Sequence, residues 1–153
     1  MLVYKDGRFY AGRSSFALVN GYKLNDAPPA LYRNGINLYT SDEACMIDVN
    51  FEHGIGGAQG SMKDSLVAEE LGKLSGTKIE QREYAGQQCW CAEYMGDLYK
   101  YFEARFDAQT GLKDSEGKDV NIFRVVVTAP HGCSIKTIRS NTEIMGILNS
   151  FRP

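Results

Sequence analysis

Residues 87–106, QQCWCAEYMGDLYKYFEARF, restrict the folding of this chain more than any other stretch. Their two halves alternate in polarity on either side of Gly96-Asp97. A period of two sends successive side chains to opposite faces of a strand, so the segment predicts a long β-hairpin with two unlike sides. Glycine first in a two-residue loop suits a type II′ turn at Gly96-Asp97. That turn sets Met95 opposite Leu98, Glu93 opposite Lys100 and Cys91 opposite Phe102. One side then carries Cys89, Cys91, Met95, Leu98, Phe102, Ala104 and Phe106 and is expected to face a core. Glu93 and Lys100 form an ion pair on that side near the turn. The other side carries Trp90, Tyr94, Tyr99, Tyr101, Glu103 and Arg105.

The remaining chain supplies partners for such a hairpin. Phe16, Leu18 and Val19 read as a short strand closed by Asn20-Gly21, and Asn34-Gly35 as a hairpin signal between two extended runs. In ACMIDVNF, Cys45, Ile47, Val49 and Phe51 share one face. TKIEQREYAG predicts a polar strand, and NIFRVVVTAP, apolar on both sides, a central one. Residues 107–120 are polar and aperiodic, an exposed loop. Two helices are expected. The first covers about 61–75, capped by Ser61, carrying Val67, Leu71 and Leu74, and stopped at Gly76. The second covers about 141–150, with Ser140-x-x-Glu143 as a capping box and Ile144, Ile147, Leu148 and Phe151 on one stripe. No internal repeat or second domain is evident, so residues 1–153 are expected to form one domain.

Composition excludes several functions. The charge is balanced at −2, with 17 basic and 19 acidic residues and no basic run to neutralise a row of phosphates. Nucleic acid is therefore not expected as a partner. No apolar run approaches the roughly 20 residues that span a bilayer. The N-terminus lacks a secretion pattern, so the chain as given reads as cytoplasmic, or as extracytoplasmic or lipid-anchored if a leader has been removed. Cys45, Cys89, Cys91 and Cys133 are expected to be reduced structural thiols, because a Cys89–Cys91 bridge along one strand is strained.

Candidate sites follow from residue types. HGIGGAQGS, residues 53–61, lies between strand-like and helix-like runs, where phosphate loops occur. It misses the P-loop lysine, and it misses the third glycine of the dinucleotide pattern, where Gln59 stands. A helix N-terminus there still leaves a possible anion site at His53, Gly57, Gly60 and Ser61. The two histidines, His53 and His131, and the Cys-x-Cys spacing do not make a zinc set, so no metal or other cofactor is expected. Cys133 with His131 two residues away lacks attack geometry and an orienting third group, and no catalytic residue is assigned. Trp90, Tyr94, Tyr99, Tyr101, Glu103 and Arg105 are the candidate partner-binding set, since aromatics and arginine concentrate at interaction hot spots. The alternative is that the terminal helix covers them.

The order of these elements resembles the PsbP-like superfamily, which includes a photosystem II subunit, a nuclear-import factor and DcrB-like bacterial proteins. SFALVNGYKL is similar to the family's opening phrase, with Asn20 where proline is usual, and ILNSFRP to its last helix and tail. The resemblance implies an α+β fold, a three-layer α/β/α sandwich. Its central sheet is largely antiparallel, with about six to seven strands and two main helices. It also implies a mostly non-enzymatic role. The expected function is a non-catalytic protein-binding module, a small adaptor or chaperone-like protein. The alternatives are a small-molecule or anion-binding protein or minor enzyme using the loop at 54–60, and an envelope-associated domain.

Overall fold

In the computed structural model, which describes residues 2–18, 30–32 (backbone alone), 34–53 and 77–153, the chain opens on a tight hairpin. Asp6 and Gly7 both take positive φ, 49° and 79°, as a type I′ turn requires. They fold β1 (Val3–Lys5) onto β2 (Arg8–Ala11), and β3 (Ser14–Phe16) completes a three-stranded antiparallel sheet. Leu18 lies beyond β3, and the expected Val19 and Asn20-Gly21 fall outside the described residues.

A larger sheet holds the rest. Its strands are β4 (Ala30–Tyr32), β5 (Gly35–Tyr39), β6 (Met46–Glu52), β7 (Lys78–Tyr84), β8 (Gln87–Met95), β9 (Tyr99–Asp107) and β10 (Ile122–Pro130). They lie in the order β4-β5-β6-β10-β9-β8-β7, with every neighbouring pair antiparallel. β10 is central, as its β-branched sequence predicts, with one face buried and the other half-buried. β6 alternates as expected, with Ile47, Val49 and Phe51 buried. Two short helices end the chain, α1 (Ile135–Ser140) and α2 (Thr142–Ser150). No helix among the described residues is long and apolar enough to cross a membrane.

The core lies between one face of the large sheet and a second layer made of the small sheet and both helices. Phe106, Phe123 and Phe51 form one cross-strand row. Phe151 stacks on Phe123 at 4.4 Å, and Phe16 meets Phe123 at 5.4 Å. Burying each such ring is worth about 1.5–3 kcal/mol. Ile138, Ile144, Ile147 and Leu148 close the same cluster. The described residues thus form two layers, not the expected three. The expected helix over 61–75 falls outside them.

Several local expectations are corrected. Gly35 pairs with Tyr32 as the first residue of β5, so that turn falls one residue earlier than Asn34-Gly35. Asn141, not Ser140, caps α2, its side chain accepting from the amides of Glu143 and Ile144. Ser140 ends α1, and Glu143 instead accepts from the amide and hydroxyl of Ser41. In the long hairpin the ladder pairs Met95 with Lys100, Glu93 with Phe102 and Cys91 with Ala104. The turn therefore centres on Asp97-Leu98, closed by Gly96 N–H donating to Tyr99 O at 2.9 Å. Moving a turn by one residue shifts the pairing by two, which preserves both faces. Leu98 and Met95, expected in the core, are at the tip and exposed. Glu93 pairs with Arg139 of α1, and Lys100 donates to Cys133 O, so the Glu93–Lys100 pair is not formed.

Candidate functional site

The face of the large sheet turned away from the core carries all six residues of the partner-binding set. The register arranges them in rows across the strands. Trp90, Arg105, Arg124 and Asn50 form one row. Ala92, Glu103, Val126 and Asp48 form the next. Tyr94, Tyr101, Thr128, Met46 and Tyr39 form the third, nearest the hairpin tip.

The first two rows hold a buried charge cluster. Glu103 is fully enclosed. Its Oε2 accepts from Arg105 Nε at 2.9 Å, and its Oε1 from Arg124 Nε at 2.6 Å and Nη2 at 2.5 Å. Burial disfavours the Arg124 cation, but the Glu103 carboxylate and the more distant Glu52 outweigh it, and the pKa moves up. Burial and then the charge of Glu103 push the Tyr94 phenol up to about 12. Trp90 Nε1 is buried and has no hydrogen-bond partner among the described residues. Glu103, expected at the rim of a docking surface, is thus a structural anion, and Trp90, Tyr94, Tyr101 and Arg105 are half-buried. The terminal helix packs on the opposite side, against the phenylalanine row, and does not cover these residues.

The third row runs between the exposed hairpin tip and the exposed Tyr39. Tyr94 and Tyr101 stack with centroids 5.0 Å apart. Tyr101 also lies over Gly96, where a Cβ would stand 2.9 Å from its ring. Beyond them the hairpin tip presents Tyr99, Leu98 and Met95 at 45%, 75% and 38% exposure, and Tyr39 at the far end of the row is 52% exposed. These are four of the six exposed large apolar side chains among the described residues. Three interstrand spacings, about 14 Å, separate the strands of Tyr39 and Tyr101. Sequence reasoning left out Tyr39, whose strand pairing was the missing signal.

The other candidates separate in space. His131 Nε2 hydrogen-bonds Gly96 O at 2.9 Å, and the Cys133 thiol donates to Ser134 O, so neither serves the other. His53 Nδ1 lies 3.5 Å from Asp114 Oδ2, while Gly57, Gly60 and Ser61 fall outside the described residues. Cys89 and Cys91 hold their sulfurs 3.7 Å apart in the core, and that contact together with burial pushes the Cys89 thiol up. Burial and contact with Cys133 push the Cys45 thiol up to about 11. All four cysteines are free, and no group of three or more metal-binding side chains converges among the described residues. No family model and no curated protein matches this sequence.

Proposed function

We propose that this domain is a non-catalytic binding module that captures an apolar segment of another polypeptide with the tyrosine-lined end of its large sheet. One observation carries this function: four of the six exposed large apolar side chains among the described residues, Tyr39, Met95, Leu98 and Tyr99, stand at a single end of the sheet. Exposed clusters of this kind mark interaction sites, and tyrosines bury much area with few torsions to freeze. The stacked Tyr94–Tyr101 pair, packed on Gly96, offers a rigid floor beside the exposed residues. Kinship with the PsbP-like superfamily, whose members are mostly non-enzymatic, belongs to the same proposal.

A photo-crosslinking residue at Leu98 tests it in lysate of the source organism. The expected result is one dominant polypeptide adduct, lost when Tyr39 and Tyr99 are changed to serine. A crosslinker at Val3, exposed but on β1, should not form that adduct. Equal adducts from both positions, or an adduct indifferent to Tyr39→Ser and Tyr99→Ser, would count against the function.

A further inference from the structure

Two of the four thiols meet at one end of the core. The register sets Lys100 of β9 beside Ala129 of β10. Cys45, one residue before Met46, falls on the other side of Ala129, because Met46 pairs with Thr128. Ala129 and Cys45 are both buried in the core. Beyond Pro130 the chain turns back, with Cys133 N–H donating to Pro130 O at 3.0 Å. Lys100 Nζ donates to Cys133 O at 2.6 Å, and Cys133 packs against the cluster that holds Ala129 and Cys45. The turn thus sets Cys133 over the row Lys100–Ala129–Cys45, where its thiol neighbours that of Cys45. Neither cysteine is in a disulfide.

The two thiols differ in access. Cys45 is 5% exposed, whereas Cys133 is half-buried next to Ser134, the N-cap of α1. An accessible thiol backed by a second one is the arrangement in which a first oxidation product is trapped before it is oxidised further. Cys89 and Cys91 lack that asymmetry: both are enclosed and share one strand, where a bond between them is strained. We propose that Cys45 and Cys133 are a redox pair, which a hydroperoxide converts to an intramolecular disulfide that pins the loop between β10 and α1 to the start of β6. With hydrogen peroxide, the Cys133 sulfur attacks and the O–O bond breaks, leaving a sulfenic acid on Cys133 and releasing one water. The Cys45 sulfur then attacks the Cys133 sulfur, and the S–O bond breaks with release of a second water. Two thiols lose two electrons and two protons, and the peroxide is reduced to water. The same loop holds the hairpin tip, since His131 Nε2 hydrogen-bonds Gly96 O and Lys100 donates to Cys133 O. Pinning the loop therefore steadies the tip as well.

The test treats the full chain with stoichiometric hydrogen peroxide, alkylates the remaining thiols in denaturant, and maps the unreduced peptides by mass spectrometry. The expected product is a monomer that has lost two hydrogens, with the Cys45 peptide joined to the Cys133 peptide and with Cys89 and Cys91 alkylated. Dithiothreitol should restore all four thiols. In Cys45→Ala, Cys133 should instead be trapped by dimedone as a sulfenic acid, and in Cys133→Ser the Cys45 thiol should stay reduced at the same dose. Because the bond closes a long loop, the oxidised parent should also unfold at a higher urea concentration than the reduced one. Four intact thiols after treatment, a Cys89–Cys91 bond in place of the proposed one, a Cys133-linked dimer, or Cys133 oxidised to the sulfinic acid beside a reduced Cys45 would each overturn the proposal.

Discussion

Glu103→Gln removes the charge at the centre of the sheet face turned away from the core while keeping its volume. Glu103 is enclosed, and its two oxygens accept from Arg105 and twice from Arg124. Arg105 and Arg124 stand directly opposite each other in the ladder, so the variant leaves two like charges with no anion between them. Breaking a fully buried pair costs about 3–5 kcal/mol. Arg105 keeps 11% and Arg124 28% side-chain exposure, so water relieves part of the repulsion. The expected loss is therefore about 2–4 kcal/mol. With a urea slope of about 2 kcal/mol/M, the midpoint falls by about 1–2 M. Far-UV dichroism and the fluorescence of Trp90, the single tryptophan and the cross-strand neighbour of Arg105, should report one shared transition with an unchanged slope. Adding Arg124→Gln should restore part of the loss, since it removes the unpaired cation. A change within about 0.5 kcal/mol for Glu103→Gln, or strict additivity in the double variant, would refute the account of Glu103 as a structural anion.

Two glycines with positive φ should respond very differently to alanine. At Gly12 a Cβ would stand 2.0 Å from Thr110 O, so Gly12→Ala should cost more than about 3 kcal/mol by urea unfolding, against about 1 for Gly7→Ala, where nothing lies within 4 Å. The Glu80 carboxyl is held below its ordinary value of 4.5 by hydrogen bonds from Arg82 and then Arg139. Its stabilisation is complete above that value and is lost as pH falls through the lowered folded value. Thermal midpoints measured at descending pH should therefore fall less steeply for Glu80→Gln than for the parent. In native protein a thiol reagent should label Cys133 first, because it alone among the four cysteines has exposed surface, and Cys45, Cys89 and Cys91 should react only in denaturant. Rapid labelling of Cys45, whose thiol burial pushes up to about 11, would contradict that order.

What the sequence revealed was governed by periodicity, and what it hid was governed by contacts between distant segments. The alternation of Ile47, Val49 and Phe51 and the stripe of Ile144, Ile147 and Leu148 are local patterns, and both describe the burial found. The two faces of the long hairpin were legible for the same reason. Its turn was misplaced because Gly96 suggested a loop glycine, whereas its lack of a side chain makes room for the Tyr101 ring. The turns at Asp6-Gly7 and Ala85-Gly86 take positive φ at both residues, and the second-place glycine of each is the mark that the sequence carries for them. Glu103 looked like a rim charge because a strand pattern cannot show that Arg124, 21 positions away, stands beside it. The exposed end of the sheet needed Tyr39 to be placed level with Tyr101, which only the strand order supplies.

The fastening of the small sheet carries a consequence for biosynthesis. Ser15 and Arg152 exchange both backbone hydrogen bonds, and Ser14 Oγ donates to Pro153 O, 139 positions along the chain. Arg8 reaches the Ser150 carbonyl in the same way. Strands β2 and β3 thus wait for residues made 139 or more positions later, and closing so long a loop is slow. During that interval Phe9 and Phe16 lack their final cover, a window in which a nascent chain invites chaperones. Removing Arg152 and Pro153 should leave most of the large sheet intact yet unfasten the small one.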